Sequence, residues 1–322
     1  MGKKICKNKN AVFLIITCIL LSCFIAVGFV VRLKVAEGSK PRKFGATYMT
    51  MNNPYFVAMN NTIEKAVQSN GDILISRDPA QNQDKQNGQI QEMIGEGVSA
   101  IFLNPVDWKG VKPALIACRN AGVPVFNIDT YVYDSSYVVS SVVSDNYQAG
   151  VQCAEDMMRR MSQADIVILN CQKMQSIRDR VKGFKDTISS DSRYKVVKET
   201  SGGGELEISM AAMNEIIHSG IQFNVVMGGN DPTALGSLAA LQKNHCDSVA
   251  IYGVDGSPDG KNMIREGLMT GTSAQSPMKI GDTVVRIAYD YLDGKRASRT
   301  IIIPVTLVTK ANIEEFDING WQ

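Results

Sequence analysis

From Phe44 onward, short runs of β-branched and aromatic residues alternate with longer amphipathic stretches. That alternation is the pattern of a parallel sheet covered by helices on both faces. It predicts strands at Phe44–Met49, Ile73–Ser76, Ala100–Leu103 and Val123–Ile128, separated by helices at Pro54–Ser69, Gln83–Gly95 and Trp108–Asn120. These make one βαβ lobe. After Val138–Ser144 the rhythm restarts, with strands at Asp165–Asn170, Lys195–Lys198, Asn224–Gly228 and Val249–Val254. The intervening helices fall at Asn146–Met161, Ile177–Ser189, Leu206–His218 and Pro232–Lys243, which makes a second lobe. Helix Pro277–Asp293 and strand Thr300–Val308 are too little for a third domain and should add to the existing sheets. A length of 322 residues agrees with two lobes of ~130–150 residues behind a short leader.

The pattern changes character before Phe44. Lys3, Lys4, Lys7 and Lys9 precede an unbroken apolar run from Ala11 to Val31, followed by Arg32, Lys34 and a linker-like stretch to Arg42. About 21 helical residues rise ~31 Å, enough to cross a bilayer's hydrocarbon core. The basic flank stays in the cytoplasm, so the body faces outward, on the outer face of the cytoplasmic membrane. Three fates remain open. The run is an uncleaved anchor, or Leu20-Leu21-Ser22-Cys23 serves as a lipoprotein box with a lipid on Cys23, or Ala26-Val27-Gly28 is cut as a signal peptide.

A formal net charge of +2, with Lys and Arg scattered, gives no electrostatic footprint for nucleic acid. Cys118, Cys153, Cys171 and Cys246 lie far apart, in no spacing that suggests zinc or a redox pair, and read as buried small apolar residues or as one extracellular disulfide that spacing cannot pair.

Open parallel sheets bind ligands beyond the carboxyl ends of their strands. Polar residues stand there in this chain: Asn52-Asn53 after the first strand, Asn104-Pro105-Val106-Asp107 after the third, Asp129 after the fourth, and Asn230-Asp231 and Asp255 in the second lobe. Asp107 and Asp231 stand where helical pattern begins, which assigns them to helix capping. Asn53, Asp129 and Asp255 are assigned to ligand contact, because donors and acceptors converging on one edge are what a polar pocket requires.

The body resembles the ribose-type sugar-binding proteins of ABC importers, with the type I periplasmic-binding fold, from Lys43 to Val308. The resemblance is carried by Asn52-Asn53-Pro54-Tyr55-Phe56, Asn104-Pro105-Val106-Asp107, Gly122-Val123-Pro124-Val125, Ser144-Asp145-Asn146 with Gly150, Arg178 with Gly183-Phe184, the run Asn230 to Gly236, and the run Gly253 to Gly260. It implies two doubly wound parallel-sheet lobes, 43–143 plus 276–304 and 144–275 plus 305–322, behind a segment 1–42. Three crossovers would fall near Val143–Asp145, Gln275–Ser276 and Pro304–Val305. It also implies a monosaccharide or polyol held by Asn53, Asp129, Arg178, Asn230, Asp255 and Gln275, with Tyr55 and Phe56 supplying a ring face and no cofactor or metal required. Carboxylates, amides and a guanidinium suit hydroxyls, which both donate and accept, while a sugar's C–H face prefers an aromatic surface.

The chain departs from the ribose binders at Thr130, where they carry arginine, and at Gly204 and Val254, where they carry aromatics. A pocket without two rings and one cation should be wider and less tuned to ribose; Trp108 and Tyr131, beside the cleft-facing loops, read first as partly buried packing residues and second as substitute stacking surfaces. The partner implied is an ABC importer permease; the alternative is a sensory role docking on a membrane histidine kinase or chemoreceptor. Catalysis is disfavoured: His218 and His245 sit in or after helices with no nucleophile pattern, and Ser201-Gly202-Gly203-Gly204-Glu205 lacks the lysine of a phosphate loop.

Overall fold

A computed structural model describes residues 40–246 and 248–322. The apolar run Ala11–Val31 and Cys23 lie outside the described residues, and among those described no helix is long and apolar enough to cross a membrane.

Two six-stranded sheets form the body. The first contains β1 (Lys43–Thr47), β2 (Ile73–Arg77), β3 (Ala100–Leu103), β4 (Val125–Asp129), β5 (Ser140–Ser144) and β11 (Thr300–Ile303), in the order β11-β5-β4-β3-β1-β2. All its pairings are parallel. The second contains β6 (Ala164–Asn170), β7 (Tyr194–Ser201), β8 (Val225–Gly228), β9 (Ala250–Asp255), β10 (Gly271–Ala274) and β12 (Thr306–Thr309), in the order β12-β10-β9-β8-β6-β7. Only its β10–β12 pair is antiparallel. Strands β3, β4 and β5 are buried along their whole length, as strands covered on both faces must be.

Helices α1 (Pro54–Ser69), α2 (Gln83–Gly95) and α3 (Lys112–Asn120) accompany the first sheet. Helices α4 (Asn146–Arg160), α5 (Gln175–Ile188), α6 (Leu206–His218), α7 (Asp231–Lys243) and α8 (Pro258–Glu266) accompany the second, and α9 (Pro277–Leu292) returns to pack on α1. The chain passes between the sheets three times: after β5, after β10, and between β11 and β12. The expected α/β architecture of two parallel sheets is therefore the one observed.

Three local features differ from the sequence reading. Helix α8 was not expected, because its apolar periodicity is thin and only Gly260, Lys261 and Ile264 are buried. Its ends are nonetheless explicit: the Ser257 hydroxyl accepts from the Gly260 amide at 3.0 Å, Pro258 opens the helix, and Gly267 closes it at φ +81°. Strand β10 reads Gly-Thr-Ser-Ala, too polar to register as a strand, yet it is fully buried. The single strand expected over Thr300–Val308 is divided at Pro304 into β11 and β12, which lie in different sheets. A proline cannot donate to a ladder, which makes Pro304 a natural place for the division.

Candidate ligand site

Two aspartates leave parallel strands in unusual backbone conformations. Asp129 ends β4 at φ +65° and Asp255 ends β9 at φ +146°, so both strand ends turn sharply at a carboxylate. Both side chains are buried, with 2 % and 3 % exposure. Asp129 accepts from Asn104 Nδ2 at 2.9 Å, and Asn104 is itself fixed through Oδ1 by the Met49 amide at 2.9 Å. Asp255 Oδ1 accepts from Gln275 Nε2 at 2.7 Å, while its Oδ2 is buried without a partner. The Tyr55 hydroxyl donates weakly to Gln275 Oε1 at 3.4 Å, joining the amino end of α1 to the second sheet's strand ends.

The cation of this cluster is Arg180. Its Nε donates to Asn146 Oδ1 at 2.8 Å, its Nη1 donates to the Gly229 carbonyl at 2.9 Å, and Nη1 lies 3.8 Å from Asp255 Oδ1. The sequence makes this possible through two glycines. A Cβ on Gly150 would stand 1.8 Å from the Arg180 carbonyl, and one on Gly183 would stand 2.1 Å from the Tyr147 carbonyl. Only hydrogen atoms there let α4 and α5 cross closely enough for Asn146 to reach Arg180.

Burial pushes the Asp129 carboxyl up to about 6, against the opposing pull of the Arg180 charge and of the hydrogen bond from Asn104. Burial likewise pushes Asp255 well above the ordinary carboxylate range; Arg180 and Gln275 pull it down, and the Asp231 and Asp129 charges add to the rise. The charge of one guanidinium thus acts on two buried acids, and Asp255 Oδ2 retains acceptor capacity that a hydroxyl donor could satisfy.

The residues expected at the site divide as follows. Asp129, Asp255, Gln275 and Tyr55 join the cluster described. Phe56 is buried edge-to-face against Tyr55, with ring centroids 5.4 Å apart. Asn53 caps α1, its Oδ1 accepting from the Tyr55 amide at 3.0 Å. Asn230 caps α7, with Oδ1 accepting from the Thr233 amide at 3.1 Å and hydroxyl at 2.6 Å, and Nδ2 donating to the Gly204 carbonyl at 3.0 Å. Thr130 is buried and its hydroxyl accepts from the Ser176 amide at 2.8 Å, tying the loop after β4 to the start of α5.

Arg178 is not part of the cluster. It is exposed, donates to Gln172 Oε1 at 2.8 Å and lies 5.2 Å from the Trp108 ring centroid. Two residues along a helix turn the side chain by ~200°, so Arg178 and Arg180 leave opposite faces of α5. The signal was present: Ile177, Val181, Phe184 and Ile188 form the buried stripe, and Arg180 rather than Arg178 lies on it.

Asp231 also departs from its assignment. It does not cap α7; its Oδ2 accepts from the Ser257 amide at 2.8 Å and hydroxyl at 2.7 Å, and its Oδ1 from the Thr272 hydroxyl at 2.6 Å. Asp107 does serve local amides, those of Lys109 and Gly110 at 2.8 and 2.9 Å. Trp108 packs edge-to-face on Tyr133 at the rim. Trp321, unremarked in the sequence, stands edge-to-face to Tyr55 at 5.6 Å. The four described cysteines are unpaired, and burial pushes the Cys118 thiol up to about 12.

A family model described as the periplasmic binding protein domain matches residues 44–296. The chain belongs to that family. As a periplasmic-binding-protein family member, it is 28 % identical to the ribose import binding protein of Bacillus subtilis, over 83 % of this chain and 87 % of that one. It superposes with a TM-score of 0.80 on a Caulobacter myo-inositol binding protein bound to myo-inositol, at 25 % identity, covering 86 % of this chain and 98 % of that one. A Mycobacterium smegmatis ABC transporter solute binding protein with bound glycerol superposes at 0.81 and 26 % identity, covering 85 % and 96 %.

Proposed function

We propose that the protein captures a neutral monosaccharide or related polyol between the strand ends of its two sheets and delivers it to the permease of an ABC importer, outside the cytoplasmic membrane. The observation that carries this reading is the buried set Asp129, Arg180, Asp255 and Gln275, in which Asp255 Oδ2 lacks a partner. A polyol hydroxyl can donate to that oxygen and accept from Arg180 or an amide, whereas an anionic ligand would meet two carboxylates. The relatives are named for import and for binding ribose, myo-inositol or glycerol, and nothing in the comparisons favours a sensor kinase as partner.

In this reading the ligand contacts are Asn53, Tyr55, Phe56, Asp129, Thr130, Asn230, Asp255 and Gln275, with Arg180 in place of Arg178. Asn53 spends its Oδ1 on the protein and keeps its Nδ2 for ligand, the Thr130 hydroxyl accepts from Ser176 and keeps its proton to donate, and Asn230, with both polar atoms engaged, keeps one Nδ2 hydrogen. The two lobes, 43–143 plus 276–304 and 144–275 plus 305–322, open and close about the three inter-sheet connections, so that occupancy becomes a shape. The run Ala11–Val31, or a lipid on Cys23, holds the body at the membrane. Binding without covalent change needs no catalytic group, and the relatives are binding proteins.

A thermal-shift panel of neutral monosaccharides, cyclitols and linear polyols tests this. A ligand at 100 times its Kd should add ~2.7 kcal/mol of stability. A panel in which only charged compounds shift the melting temperature would reject the reading.

A further inference from the structure

Residues 310–322 leave β12 and run back along the second sheet's side of the molecule. Asn312 pins the start, its Oδ1 accepting from the Thr309 amide at 2.8 Å and its Nδ2 donating to the Leu307 carbonyl at 2.9 Å. Ile313 is buried in the second core, with Phe316 and Ile318 packed against it. Lys261 of α8 is fully buried, and its ammonium donates to the carbonyls of Asp317 and Gly320, the latter at 2.7 Å. Placing a buried cation there is costly unless it is fully hydrogen-bonded, so the path of this segment is tightly specified.

That path ends at the ligand site. Trp321 meets Tyr55, on the first sheet's side, edge-to-face at 5.6 Å and 74°. Gln322 places Oε1, buried and without a partner, 3.2 Å from where a side chain on Gly256 would begin, directly after Asp255. A ring anchored through one lobe therefore touches a ring at the mouth of the other, next to the Tyr55–Gln275–Asp255 chain of contacts.

We infer that Trp321 is a clasp: it closes the ligand site from the second lobe onto Tyr55, and so sets how long a bound polyol stays. This rests on the functional reading above. Because the contact spans the two lobes, it forms on closure and is lost on opening. It therefore acts on release rather than capture.

The test uses the neutral sugar or polyol giving the largest thermal shift, with association and dissociation rates measured by stopped flow. Trp321→Ala should speed dissociation about 2- to 10-fold, the range of an aromatic pair, with association unchanged; Trp321→Phe should restore most of it. Lys261→Met, which keeps the stem and removes the ammonium, should speed dissociation in the same direction. A Trp321 that merely packs would lower the ligand-free melting temperature and leave the dissociation rate alone, and that result overturns the clasp. If no ligand shifts the wild type, the functional reading falls and the clasp is judged without ligand. In a Trp108→Phe background Trp321 is the sole tryptophan, and adding Tyr55→Leu should raise its quenching by acrylamide, because closed molecules no longer cover it. A Trp321 equally quenchable with and without Tyr55 overturns it.

Discussion

Arg180 Nη1 stands 3.8 Å from Asp255 Oδ1, with both side chains almost wholly buried. The guanidinium is also bonded to Asn146 and to the Gly229 carbonyl, so it is held in place independently of the acid. Replacing one partner of a buried ion pair leaves the other charge uncompensated, typically at a cost of about 3–5 kcal/mol. Arg180→Met should therefore lower stability by that order at pH 7.5 and abolish ligand binding. Arg178→Met, on the exposed face of the same helix, should change stability by less than about 0.5 kcal/mol. Chemical denaturation of the two variants separates them.

Asp129 gives the site a pH dependence. Its folded-state value of about 6 lies above the 3.8 of an ordinary aspartate. Between those values the folded state holds the proton more tightly than the unfolded chain. The stability this contributes is full below about pH 4 and is lost as pH rises through 6. Asp255 and Asp231, raised by burial, add the same sign. A ligand hydroxyl donating to the ionised carboxylate acts the other way, so affinity should rise from pH 5 to 7.5. Calorimetry across that range should show proton release on binding, and Asp129→Asn should flatten the profile.

The helix crossing at Gly150 should tolerate no side chain. Gly150→Ala puts a methyl within 1.8 Å of the Arg180 carbonyl and must push α4 and α5 apart. Overpacking of this kind costs about 1–3 kcal/mol or more, and here it should also weaken ligand binding by displacing Arg180. Gly88→Ala, in α2 with open space around it, should be neutral or stabilise by up to about 1 kcal/mol. Thermal melts with and without ligand check both.

Asp231 holds the turn that presents Asp255. Asp231→Ala leaves the Ser257 amide and the Thr272 hydroxyl without their acceptor, each loss worth about 1–3 kcal/mol. The variant should be destabilised with or without ligand; Asp255→Asn, which leaves the buried Arg180 charge less compensated, should also lose stability but is distinguished by losing the ligand-induced shift as well. A pair of melting curves for each variant decides the matter.

Both sheets, and the acids that stand at their strand ends, were legible in the sequence, because period-two and helical patterns are strong over most of the body and strand-terminal Asp and Asn stand out. What escaped was set by tertiary context. Arg178 and Arg180 differ only in which face of α5 they leave, and choosing between them requires the helix phase given by Ile177, Val181 and Phe184. Asn230 and Asp231 are adjacent; the one before the proline-containing first turn caps, and the other turns inward to Ser257. Strand β10 is polar because its neighbours, among them Gln152, which accepts from Ser273 at 2.9 Å, satisfy its hydroxyls. Trp321 could not have been placed, since no local pattern connects it to Tyr55 across 266 residues of sequence.

The most direct measurement is titration calorimetry of the wild-type protein and of Asp255→Asn against neutral monosaccharides and polyols at pH 7.5. The account predicts one-to-one binding of at least one of them to the wild type, with affinity lost when the Asp255 carboxylate becomes an amide. Unchanged affinity in Asp255→Asn, or binding confined to charged compounds, would contradict it.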